Sequence, residues 1–145
     1  MFVSDLTQET RARFRTLDER RSVRDAAGAF ADAQLGLLIV CTDTGEASGV
    51  VSKSDLVRHL ARSGSTEAPL AEVMSRAVVF ASAASDLRQT WQLMVQRRLQ
   101  NLPLLGASGR PIGTLDIRDA LEAILSNEER QESELINYIA GNGYR

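Results

Sequence analysis

Two stretches of the chain carry the same succession of apolar and polar positions. "SVRDAAGAFADAQ" begins with Ser22 as a helix N-cap and sets Val23, Ala26, Ala27 and Phe30 on one helical side. Its counterpart, "DLRQTWQLMVQRRL", sets Leu87, Thr90, Trp91, Met94 and Val95 likewise. A short apolar strand follows each helix, "LLIV" or "LPLL". Next comes a tight turn, "TDTGEA" or "GASGRP", in which Gly45 or Gly109 supplies the positive φ a hairpin needs. A second strand, "SGVVS" or "IGTLD", then runs into a helix, "SDLVRHLAR" or "IRDALEAIL". Short strands around "ARFRT" and "AVVFA" are expected in front of each unit.

The two units stand 64 positions apart (113 − 49, for Gly113 and Gly49), and the register holds without gaps. Gly45 falls on Gly109, Gly49 on Gly113 and Asp55 on Asp119. Leu38, Val40, Val51, Val57 and Leu60 fall on Leu102, Leu104, Leu115, Leu121 and Ile124, while Val23, Phe30 and Leu35 fall on Leu87, Met94 and Leu99. About sixty residues is marginal for one core. The halves are therefore expected to close a single core about a pseudo-twofold axis, leaving matching clefts between them. The predicted organisation is an N-terminal segment 1–11, repeats 12–66 and 67–125, and a helical tail 126–145. In the linker, Leu70, Val73 and Met74 form a helical turn. The tail carries Leu135, Ile136, Tyr138 and Ile139 as one stripe, with Gly141 and Gly143 as its stop. It is expected to run on from the second repeat and dock only its end.

Composition narrows the chemistry. The chain has 145 residues, 43% hydrophobic and 25% charged, with a net charge of −2. That suits a globular domain and gives no positive field to attract nucleic acid or an anionic membrane. No apolar run approaches the ~20 residues of a membrane span, and "MFVSDLTQETRARF" is not a secretory signal, so a cytoplasmic protein is expected. Cys41 is alone, which excludes an internal disulfide and a cysteine metal cluster, and reads as a small buried thiol. His59 is also alone, giving no support to a zinc site or a serine–histidine triad. An enzyme is not expected.

With "LGLLIVCTDTGEASGVVSKSDLVRHL", "LAEVMSRAVVF" and "RRLQNLPLLGASGRPIGTLDIRDAL", the chain resembles a tandem cystathionine-β-synthase (CBS) domain pair, the Bateman module, over about Ala12 to Leu125. It looks like the stand-alone bacterial type. The resemblance implies an α/β (α+β) fold of two pseudo-symmetric β-α-β-β-α repeats packed sheet to sheet, with nothing left over for an attached enzyme or channel. It also implies a regulatory module that binds adenosine ligands such as AMP, ADP or ATP and requires no cofactor. Two such pairs would associate through their helices into a homodimeric disc, here through Ala26, Ala27 and Phe30 with Trp91, Met94 and Val95. The downstream partner is not readable. The alternative is an interaction scaffold whose clefts bind no nucleotide.

The residues themselves can be matched to a nucleotide. Asp55, in a first helical turn, can accept from both ribose hydroxyls. Ser52 and the adjacent free N–H groups suit phosphate, with Lys53 as a nearby cation. Leu37, Leu38 and Val50 offer an apolar wall to a purine, and Thr16 aligns with Phe80, a position the resemblance sets beside the base. The structural alternative is that Ser54 and Asp55 only start a helix. In the second copy the candidates are Phe80, Asn101, Leu102, Pro103, Asp116 and Asp119. Asp116 stands where Ser52 would meet phosphate, and like charges ~4 Å apart repel by about 1 to 4 kcal/mol. Arg118 can offset part of this. The Ser52/Asp55 cleft is therefore expected to bind first.

Overall fold

The computed structural model describes residues 1–76 and 78–142. The first half opens with α1 (Thr7–Ala12) and β1 (Thr16–Asp18), then α2 (Val23–Asp32), β2 (Leu38–Cys41), β3 (Ala47–Val51) and α3 (Lys53–Ala61). Ser22 starts α2 as expected: its Oγ accepts from the Asp25 N–H at 3.1 Å, and the Asp25 carboxylate accepts from the Ser22 N–H at 3.2 Å. This reciprocal capping box satisfies two donors that the first turn would leave bare. Val23, Ala26, Ala29 and Phe30 are buried. Ala29 replaces the expected Ala27, because Ala27 lies about 100° further round the helix than Ala26 and faces outward.

Strand β1 runs parallel to β2, and β2 antiparallel to β3, in the order β1-β2-β3. Gly45, at φ 89°, makes the β2–β3 turn. All of β2 is buried. Leu38 and Val40 enter the core of this half. Ile39 points to the opposite face and is equally buried, so this sheet is covered on both sides.

The second half contains α4 (Leu70–Val73), α5 (Leu87–Gln96), β4 (Asn101–Leu105), β5 (Pro111–Asp116) and α6 (Ile117–Asn142). Strands β4 and β5 pair antiparallel. The strand expected around "AVVFA" is reduced to a single parallel bridge between Ala81 and Leu104; Ala77 of that stretch lies outside the described residues. Helix α6 is one element of 26 residues, so the tail continues the second repeat without a break. Gly141 lies inside it and is not a stop, while Gly143 lies outside the described residues. Leu135, Ile136, Tyr138 and Ile139 are all exposed, so the end of the helix docks on nothing within the described residues of this chain. Among the described residues no helix is long and apolar enough to cross a membrane.

The buried side chains form two clusters, not the single shared core expected from the size of each half. Each half completes its own cluster by borrowing from the segment that leads into the other. Val3 and Leu6 are buried with Leu87, Met94, Leu102 and Leu115 of the second half. Leu70 and Met74 are buried with Val23, Phe30, Leu38 and Val51 of the first. Segment 1–11 is thus part of the second half's packing, tied to it by the Val3 N–H on the Ser85 carbonyl and the Ser4 N–H on the Ala83 carbonyl, both 2.9 Å.

This exchange accounts for the repeated glycine. A Cβ on Gly49 would lie 2.7 Å from the Ser75 carbonyl oxygen and 2.8 Å from Met74 Sδ, and one on Gly113 3.0 to 3.3 Å from Thr10. The crossing segments press on the second strand of each repeat at the one residue without a side chain.

Candidate ligand clefts

Ser52, not Ser54, caps α3. Its Oγ accepts from the Asp55 N–H at 3.2 Å, and Asp55 Oδ2 accepts from the Ser52 N–H at 2.9 Å. Asp55 Oδ1 also takes a hydrogen bond from Arg58 Nη1 at 3.2 Å. Asp55 lines a small cavity of about 140 Å³ with Arg58 and His59. Ser52 and Lys53 instead line a cavity of about 610 Å³ together with Leu37 of the first half and Asn101 of the second. The expected Ser52/Asp55 cleft is therefore divided, with the serine and the carboxylate in different cavities. The halves meet closely here: a Cβ on Gly36 would collide with the Asn101 side-chain amide. Lys53 Nζ sits 5.9 Å from the centre of the Phe30 ring, within cation–π range, and forms no ion pair among the described residues.

Other expected residues sit apart from this cavity. Leu38 and Leu102 are fully buried in their own cores, so neither side chain can form a wall for a purine. Side chains alternate along a strand, and the register that aims Val40 and Leu104 inward aims Leu38 and Leu102 inward too. Pro103 is buried in β4. Thr16, Val50 and Phe80 are half-buried and line none of the cavities described here.

At the start of α6, Asp116 is buried, not exposed to an incoming phosphate. It accepts from the Arg118 N–H at 2.8 Å and from the Arg118 side chain at 3.1 and 2.9 Å, and Arg13 Nη1 lies 3.6 Å away. Burial pushes its carboxyl up, but the Arg118 hydrogen bonds and the Arg13 charge together outweigh this and hold it below the ordinary carboxylate value. The aspartate thus accepts from a backbone N–H at the start of its helix, as Ser52 does, with its charge neutralised by two arginines. The expected repulsion toward phosphate is correspondingly cancelled. Asp119 is held by Arg13 in a bidentate pair, 2.5 Å from Nε and 3.1 Å from Nη2, and this bond raises the Arg13 pKa.

Arg13 is the residue that sequence reasoning missed. Nothing in the repeat marks it, since its aligned position is Ala77. It lines a cavity of about 410 Å³ with Phe30, Lys53 and Arg118, and another of about 340 Å³ with Glu9, Gln34 and Asp119. The 410 and 340 Å³ cavities share Arg13, Gln34 and Leu35, and the 410 and 610 Å³ cavities share Leu35 and Lys53, so the three adjoin along the seam between the halves.

The lone residues are structural in this setting. Cys41 is buried, which pushes its thiol pKa up. His59 Nε2 lies 2.8 Å from the Ser65 carbonyl oxygen, in a contact that braces the loop after α3.

Comparison with known proteins bears on this geometry. The family model described as CBS domain matches residues 3–62 and 70–126. The chain is 28% identical over 102 residues to arabinose 5-phosphate isomerase GutQ of Salmonella typhi, covering 70% of this chain and 32% of the isomerase. It thus spans about a third of the length of that relative. Among solved structures, a CBS-domain-containing protein of Agrobacterium tumefaciens is 27% identical with a TM-score of 0.73, over 85% of this chain and 98% of that one. CBSX2, solved in complex with AMP, is 20% identical with a TM-score of 0.73, over 88% of this chain and 98% of that one.

Proposed function

The chain belongs to the CBS-domain family, with two copies in tandem, and on that premise we propose that it is a non-catalytic sensor of an adenosine nucleotide. The ligand enters the seam between the halves. Its phosphate meets Lys53 and the Ser52 hydroxyl, which keeps a free proton to donate while it caps α3. One observation carries this reading: the 610 Å³ cavity gathers Leu37, Ser52 and Lys53 from one repeat and Asn101 from the other. A ligand touching both halves can alter how they sit together, which is what a sensor requires. The AMP bound by CBSX2 supports the choice of ligand class. Calorimetric titration with AMP, ADP and ATP tests it. A saturable heat that weakens about tenfold or more in Lys53→Ala is expected, since a hydrogen bond to a charged group is worth about 1.5–3 kcal/mol. No heat with any of the three would sink it.

The scaffold reading has an observation of its own. Asp55 and Asp119, the two ribose-type acceptors, are both engaged in internal ion pairs. If all three nucleotides fail while the chain still self-associates, this reading takes over.

Self-association is proposed through the helices, with a changed set of residues. Ala26, Phe30 and Met94 are consumed by the internal cores. The aligned pair Val57 and Leu121, with Leu60, Val95 and Leu125, remain exposed on α3, α5 and α6. A second copy covering them would bury on the order of 1,600 Å² in a standard interface. Sedimentation should show a dimer that Val57→Glu converts to monomer; a monomeric parent chain at micromolar concentration removes the idea.

A further inference from the structure

Arg13 stands between two adjoining cavities of the seam. On one side, the 340 Å³ cavity contains the carboxylates of Glu9 and Asp119. On the other, the 410 Å³ cavity contains Lys53, with Asp32 nearby and Arg118 already paired to Asp116. Arg13 lines both. Its guanidinium is committed to Asp119 through two hydrogen bonds and also reaches Asp116. A molecule presenting a diol to Asp119 and an anion to Lys53 would meet Arg13, which lines both cavities.

We propose that Arg13 gates the Asp119 side of the seam and sets its specificity for nucleotides over nucleosides. This rests on the reading of the seam as a nucleotide site. The physical argument is one of exchange. A diol that takes Asp119 from Arg13 replaces a bidentate ion pair with hydrogen bonds from uncharged donors and strands a guanidinium. A nucleoside offers that guanidinium nothing. A nucleotide offers phosphate oxygens, with which the planar fork pairs as well as with a carboxylate. Arg13 therefore opposes adenosine and assists AMP. Because Arg13 directly follows α1, which belongs to the segment packed on the second half, its release would also loosen that segment.

The test is calorimetric titration of the intact chain, Arg13→Gln and Arg13→Lys with adenosine and with AMP. The intact chain should take AMP at least about tenfold more tightly than adenosine, and Arg13→Gln should bring the two within about threefold by strengthening adenosine and weakening AMP. Arg13→Lys, which keeps the charge but not the fork, should fall between and decides the matter alone if Arg13→Gln does not fold. Adenosine binding only to Arg13→Gln would also support the gate. An AMP preference that survives both substitutions overturns the gate and leaves the nucleotide reading standing. If neither ligand binds any of the three proteins, the nucleotide reading fails and the gate falls with it.

Discussion

Leu6 and Leu70, 64 positions apart (70 − 6), each lie in the hydrophobic cluster of the opposite half, Leu6 against the second and Leu70 against the first. The two halves are thereby clasped at both ends, although their cores are separate. Leu6→Ala and Leu70→Ala should each cost about 2–5 kcal/mol, as buried leucine truncations do. Urea unfolding gives the magnitude. Amide exchange gives the location: Leu6→Ala should speed exchange in β4 and β5 before β2 and β3, and the reverse pattern would contradict the exchange of segments.

Gly49→Ala should be more damaging than Gly113→Ala. The first meets a backbone carbonyl oxygen and a methionine sulfur inside 3 Å, and the carbonyl cannot yield without breaking its pairing with the Val50 N–H at 3.0 Å. The second meets Thr10 at 3.0 to 3.3 Å, which a small shift of α1 relieves. Overpacking of this kind costs about 1–3 kcal/mol, and Gly49→Ala belongs at the upper end. Thermal melts of the two variants check the order.

Thr114 should be improvable. Its Oγ1 is buried and finds no hydrogen-bond partner among the described residues. The aligned position of the first repeat is Val50, of the same shape without the hydroxyl. An unsatisfied buried polar group costs about 1–3 kcal/mol, so Thr114→Val should stabilise the chain by about 1 kcal/mol or more. A lower melting temperature in that variant would mean that the hydroxyl has a partner in solution.

Acid should find Asp116. Its folded-state pKa lies below the ordinary 3.8, so in the window below that value the unfolded chain binds the extra proton. The stability it contributes is complete above about pH 5 and is lost as pH falls through the depressed folded value. Asp116→Asn should be less stable than the parent at neutral pH and should narrow that gap on acidification to about pH 3. Urea midpoints across that range measure this, and a gap independent of pH would show that Asp116 does not titrate as described.

The sequence by itself determined the doubled architecture. The spacing of Gly49 and Asp55 repeated at Gly113 and Asp119, with aligned apolar positions between, is a local and periodic signal, and each element reads from its own few residues. The capping role of Ser22 and the turn at Gly45 were legible for the same reason. Tertiary structure decided what no local pattern encodes. It placed Arg13 on Asp119, 106 residues away, and so turned an expected ribose acceptor into half of an ion pair. It buried Asp116 and neutralised it, where charge reasoning on an extended chain left it exposed. It also separated Ser52 from Asp55 into different cavities, Asp55 being drawn into an ion pair with Arg58 one turn further along α3. Side-chain direction and long-range charge pairing depend on where distant segments cross, and those crossings exist only once the chain is folded.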